Sequence, residues 1–207
     1  MTDVLINGPD NDQGMTFIFA HGAGAGMDHE FMEDMASRLS TLGIRVLRFN
    51  FPYMEKRKID GKRRPPDRAP KLLDAFNAVL DQYADGNVVI GGKSMGGRMA
   101  SHLTERQDVA AVACLGFPLH PPGKPEKDKG EHLSSINKPL LILQGERDTF
   151  GNRQELTDYP LSPSVFLHFL PDGDHSFKPR KASGFSDSDN RQQAAEKLAE
   201  FIKKAML

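Results

Sequence analysis

The stretch Val88-Val89-Ile90-Gly91-Gly92-Lys93-Ser94-Met95-Gly96-Gly97-Arg98 decides how this chain folds. A β-branched run leads into a glycine-rich turn, and a helix-compatible segment follows at once. Within it, Gly92-Lys93-Ser94-Met95-Gly96 has the pattern G-x-S-x-G, a nucleophile elbow that presents a serine on a strained strand-to-helix bend. The spacing has a steric cause. Side chains beside the serine would collide with the adjoining strand and helix, and Gly92 and Gly96 remove that clash. The same bend sets the amide of Met95 at a helix N-terminus, aimed at any developing oxyanion.

Around the elbow, short apolar runs alternate with amphipathic segments. Strands are expected at 4–7, 16–20, 45–50, 88–91, 109–115, 140–143 and 165–170, several nearly continuous in apolar residues, as strands covered on both faces are. Helices are expected at 28–42, capped by Asp28 and stopped by Gly43, then at 67–84, 95–107 and 190–206. This order implies an α/β fold: one mostly parallel sheet of about seven strands, helices on both faces and little room for a cap domain. No repeat and no linker interrupts it, so residues 1–207 read as one domain. Residues 53–70 and 117–130, rich in Pro and basic residues, read as loops beyond strand C-terminal ends, where open sheets build their sites.

The chain has 207 residues and a formal net charge of −1, enough for a core without staples and without overall bias toward nucleic acid or membrane. Cys114 is the single cysteine and sits in an apolar run, so it reads as a buried strand thiol. The N-terminus lacks a basic start and a long apolar stretch, and no apolar run is long enough to span a bilayer; a cytoplasmic location is expected. No His, Cys and Asp grouping has metal-ligand spacing, so neither metal nor other cofactor is expected.

Two phosphate-binding readings fail. Gly92-Lys93-Ser94 resembles the end of a P-loop, but the required earlier glycine is Asn87, and Val88, Val89 and Ile90 read as strand. His21-Gly22-Ala23-Gly24-Ala25-Gly26 lacks the spacing of a dinucleotide fingerprint, and the next strand ends in Arg48-Phe49-Asn50 without the acidic residue. His21 reads as a structural residue bonding loop backbone.

A serine at an elbow needs a base, and the base needs an orienting carboxylate. Two late strands run into turns carrying such groups: Gln144-Gly145-Glu146-Arg147-Asp148 and Asp172-Gly173-Asp174-His175-Ser176-Phe177. Asp148 is preferred, with Glu146 two residues away as the alternative; Asp172 and Asp174 lie too close to His175 and read as turn-shaping. His120 and His132 are placed to touch substrate, while His168 reads as a packed strand residue.

Together the His21-Gly22-Ala23-Gly24 turn, the elbow, Gln144-Gly145-Glu146-Arg147-Asp148 and the His175 turn resemble the α/β-hydrolase superfamily. The wording is similar to the predicted-hydrolase branch related to the KANL/Tex-like domain, and Phe51-Pro52-Tyr53 before a basic segment fits it. Dienelactone hydrolases are less similar, having cysteine where this chain has Ser94. The resemblance covers nearly the whole chain. It implies the order nucleophile, acid, base: Ser94, Asp148, His175. It also implies that the backbone N–H of Ala23 joins that of Met95 in an oxyanion hole. The implied reaction is hydrolysis of a carboxylic ester or thioester, a small-molecule substrate. A catalytically idle interaction module with a protein partner is the alternative, since some relatives act in larger assemblies. The basic residues Lys56, Arg57, Lys58, Lys62, Arg63, Arg64 and Arg68 read either as a solvated loop or as a rim that selects an anionic substrate. Lys93 and Arg98 are further cationic candidates beside the serine.

Overall fold

The computed structural model describes residues 3–9, 15–84 and 86–207. Among the described residues seven strands, β1 (Val4–Asn7), β2 (Thr16–Ala20), β3 (Arg45–Phe49), β4 (Val88–Lys93), β5 (Val109–Leu115), β6 (Leu140–Gly145) and β7 (Val165–Leu170), form one sheet in the order β1-β3-β2-β4-β5-β6-β7. Only β1 runs antiparallel, pairing with β3; every other pairing is parallel. Strand β4 is central and all six of its residues are buried. That accounts for its continuous apolar run, since helices cover both faces.

The described residues also form six α-helices: α1 (Glu30–Thr41), α2 (Pro52–Asp60), α3 (Ala69–Tyr83), α4 (Met95–Ser101), α5 (Arg153–Asp158) and α6 (Asp187–Ala205). On one face Phe31, Met35 and Leu39 of α1 and Ala194, Leu198 and Ile202 of α6 pack on Phe17, Phe19 and Val89. On the other, Phe76 and Leu80 of α3 and Met99 of α4 pack on Ile18, Leu47 and Ile90.

Four helices differ from the sequence reading. His29, not Asp28, caps α1, its imidazole accepting from the Phe31 N–H. Residues 53–70 are not all loop: α2 occupies Pro52–Asp60, with proline in its first turn and Gly61 left-handed at φ 70° closing it. Helix α5 is held by a capping box between Asn152 and Glu155. Helix α4 ends at Ser101, short of 107. The Ser101 hydroxyl turns back onto the Arg98 carbonyl and bonds the His132 ring, competing with further helix.

The bend between β4 and α4 tolerates no side chain at its glycines. A Cβ on Gly96 would lie 2.5 Å from the Ala20 carbonyl oxygen and 2.6 Å from that of His21. One on Gly92 would lie 2.4 Å from the Gly96 carbonyl carbon. These neighbours are backbone and cannot swing aside. Gly96→Ala should therefore cost about 3 kcal/mol or more and lower Tm by roughly 6–12 °C, checked by thermal unfolding. A Tm within a degree of wild type would contradict this packing.

Candidate active site

Ser94 sits between β4 and α4 with φ 51° and ψ −117°, a conformation that costs a non-glycine residue on the order of 1–3 kcal/mol. The backbone holds it there from both sides. The Ser94 N–H donates to the Leu115 carbonyl, and the Ser94 carbonyl accepts from the Arg98 N–H. The strain raises its hydroxyl off the sheet.

That hydroxyl lies 2.9 Å from Nε2 of His175, and Nδ1 of the same ring lies 2.7 Å from Oδ2 of Asp148. Three chain segments are thus brought into one line at the C-terminal edge of the sheet. Asp148 is wholly buried. Its Oδ1 accepts from the Phe150 N–H and its Oδ2 from Nε2 of Gln144 as well as from His175. Glu146, the alternative acid, points elsewhere, onto Arg153 and the Asp172 N–H. Asp172 and Asp174 shape the turn under His175. Asp174 accepts from the Ser176 and Lys178 N–H groups, and Asp172 binds Arg180. Phe150 stacks on the His175 ring at 4.2 Å. Burial pushes His175 below its ordinary pKa, opposed by the Asp148 hydrogen bond and reinforced by Lys93.

Ala23 and Met95 line the same cavity as Ser94, about 280 Å³ in volume. Neither backbone N–H has an acceptor among the described residues. The turn carrying Ala23 is braced from below. His21 is buried, and burial pushes its pKa down to about 4. The neutral ring donates from Nδ1 to the Gly22 carbonyl and accepts at Nε2 from the Phe51 N–H. The Tyr53 hydroxyl lies 3.1 and 2.9 Å from the Gly22 and Ala23 carbonyl oxygens.

The basic candidates separate. Arg98 lines the cavity with Ser94. Arg57, Arg63, Arg64 and Lys93 do not. Arg57 reaches the Gly24 carbonyl on the outer side of the Ala23 turn, Arg64 pairs with Asp60, and Arg63 is exposed. His120 reaches the cavity wall, paired with Glu155. His132 does not; it stacks on His102. Cys114 is buried and its thiol is pushed up by burial, as expected of a strand thiol. Among the described residues no group of three His, Cys, Asp or Glu side chains is placed to hold a metal ion, and no helix is long and apolar enough to cross a membrane.

Two residues of this neighbourhood escaped the sequence reading of their roles. Gln144 ties Asp148 to the Phe117 and Gly151 backbone, and only its place at a strand end hinted at this. Lys93, read as a candidate toward substrate, turns inward. Its ammonium donates to the carbonyl of His175 and lies 5.5 Å from the centre of the Phe31 ring. Gly116 makes the space, since a Cβ there would lie 2.8 Å from Nζ. Burial pushes the Lys93 pKa down to about 8, against the pull of Asp148 and Asp174.

Residues 13–203 match the family described as alpha/beta hydrolase domain. The chain belongs to that family. Its fold is shared with an alpha-beta serine hydrolase homologue from Coxiella burnetii at a TM-score of 0.70 and 19% identity, over 95% of this chain and 89% of that one. A lidless serine hydrolase from Xanthomonas campestris is similar at 0.67 and 23%, over 95% and 88%. A Pyrococcus furiosus esterase is similar at 0.68 and 18%, over 99% and 91%. In this alpha/beta hydrolase the elbow, the turn after β2 and the turn after β6 line one cavity, and the turn after β7 reaches its Ser94 through His175.

Proposed function

We propose that the protein is a serine hydrolase that cleaves a carboxylic ester or thioester through an acyl-enzyme. The observation that carries this reading is the unbroken line from Ser94 through His175 to buried Asp148. His175 Nε2 takes the serine proton as Oγ attacks the carbonyl carbon. The N–H groups of Ala23 and Met95 receive the negative oxygen; one such donor is worth about 3 kcal/mol in a transition state. His175 gives the proton to the leaving oxygen or sulfur as that bond breaks. Water then attacks the acyl group, losing a proton to His175, and His175 returns that proton to Oγ of Ser94 as the acyl–Oγ bond breaks and the acid departs. The family and the esterases among its structural neighbours support this chemistry. A cavity of about 280 Å³ is at the small end for ligand sites and favours short substrates. The basic residues around it favour a substrate with negative charge.

The test is labelling by a fluorophosphonate probe together with p-nitrophenyl acetate turnover, in wild type and His175→Ala. Labelling and turnover in wild type, both lost in the variant, are expected. A folded wild type that does neither would overturn the enzyme reading and leave the idle interaction module.

The acid limb of activity follows from the environment of His175. A protonated imidazole cannot accept the serine proton, so activity is present above the His175 pKa and is lost as pH falls through it. Since that pKa lies below the usual 6.5, the limb in kcat/KM should lie below pH 6.5. Lys93→Met removes a cation that disfavours imidazolium, so its limb should move to higher pH. The same variant removes a buried charge. It should be at least as stable as wild type at neutral pH. Wild type should regain ground as pH rises from about 8 toward the ordinary lysine range, where Lys93 loses its proton. An unmoved acid limb in Lys93→Met would exclude this action of the Lys93 charge on His175.

A further inference from the structure

Arg98 lies one helical turn beyond Ser94 on α4, its N–H bonded to the Ser94 carbonyl at 3.0 Å. Its side chain lines the Ser94 cavity and is only partly exposed. Among the described residues its guanidinium has neither a hydrogen-bond acceptor nor an ion-pair partner, in contrast to Arg38, Arg64, Arg106, Arg147, Arg153, Arg180 and Arg191. Burial lowers its pKa and no carboxylate offsets it. A half-buried guanidinium left unpaired is costly, and a planar fork of donors matches a carboxylate bidentately.

The other charges on the cavity wall do not cancel it. Asp67 pairs with Lys71 through Oδ1 at 2.7 Å, its buried Oδ2 having no hydrogen-bond partner, and His120 pairs with Glu155 at 2.9 Å. Lys129, on the same wall, has no side-chain acceptor among the described residues. With the internal pairs matched, Arg98 and Lys129 remain as uncompensated positive charge. Outside the cavity, Arg68, between the cavity-lining Asp67 and Ala69, is exposed and unpaired among the described residues, which adds to the positive charge beside it.

We propose that Arg98 is the anion receptor of this site, and that the substrates are short esters or thioesters carrying a carboxylate. This rests on the serine-hydrolase reading, and it assigns specificity where that reading assigns chemistry.

Two matched ester pairs test it. Mono-p-nitrophenyl glutarate against p-nitrophenyl pentanoate places the charge in the acyl half. Para-acetoxybenzoate against its methyl ester places it in the leaving group. In wild type, kcat/KM should favour the charged member by about tenfold or more in one of the pairs, and that pair locates the receptor. In Arg98→Met the preference should collapse toward unity, and Arg98→Lys should restore part of it. No preference in either pair, or equal slowing of charged and neutral members by Arg98→Met, overturns the proposal.

Calorimetric titration of glutarate and para-hydroxybenzoate into Ser94→Ala separates the two readings. One of them should bind, and the binding should be lost when Arg98→Met is added. Carboxylate binding through Arg98 without ester turnover in wild type would leave the receptor standing and remove the hydrolase. Turnover without anion preference would do the reverse.

Discussion

Replacing Ser94 by alanine is expected to lower ester turnover by on the order of 10⁴-fold or more and to abolish fluorophosphonate labelling, with little change in Tm. The loss is large because the oxygen that would form the acyl bond is gone, while His175 and the N–H groups of Ala23 and Met95 can still favour only direct attack by water. The fold has little to lose. Ser94 gives up one hydrogen bond, to His175, and alanine keeps the same φ of 51°, so the strain stays. Ser94→Gly should be equally inactive but more stable than Ser94→Ala, because glycine adopts that conformation without the Cβ penalty. Kinetics, labelling and thermal unfolding on the three proteins separate these effects. Residual turnover near wild type in Ser94→Ala would sink the serine mechanism.

Asp148→Asn should be almost as damaging, lowering kcat by about 10³- to 10⁴-fold while the protein stays folded. The surroundings decide how asparagine sits. The Phe150 N–H needs an acceptor at the Oδ1 position, so the new amide nitrogen takes the place of Oδ2. There it meets Nε2 of Gln144, a donor, and Nδ1 of His175. Gln144 loses an acceptor, and His175 is pressed into the tautomer with its proton on Nε2, facing Ser94. A ring protonated on that nitrogen cannot take the serine proton. Loss of the Asp148 charge should also lower the His175 pKa further, since Asp148 now raises it. The acid limb should therefore move down in Asp148→Asn and up in Lys93→Met. Shifts in the same direction would contradict the electrostatics described for His175. An activity ratio pH-profiled from pH 4 to 9 on both variants covers the range that matters, which spans about 2.5 units on either side of the usual imidazole value.

The parts of this protein that were legible in the sequence are those fixed by local sterics or by strong burial. All seven expected strands are present; the inner strands β2 to β6 are buried over nearly their whole length, which leaves each a continuous apolar run, whereas the edge strands β1 and β7 are partly exposed and are marked by the turns that bound them. The elbow is legible for a different reason, since only glycine fits beside Ala20 and His21. Helix α2 was missed although Pro52 and Gly61 mark its ends. Its exposed basic face, with Lys56 and Lys58, masked the short buried patch of Tyr53 and Met54. The same oversight hid the bracing of the Ala23 turn, which depends on Tyr53 and Arg57.

The sheet, the bend that carries Ser94, and a short set of late acidic residues and histidines to stand beside it can be read from the order of residues alone. Those features depend on steric fit and on burial period, which neighbouring residues carry. That Asp148 and not Glu146 meets His175, and that Lys93 turns inward beneath the loop while Arg98 faces the cavity, follows from contacts between distant segments. Side-chain direction at these positions depends on groups far along the chain, Gln144 and Phe150 for the acid and Gly116 and His175 for the lysine. No local pattern encodes that direction, because packing across the sheet edge selects it.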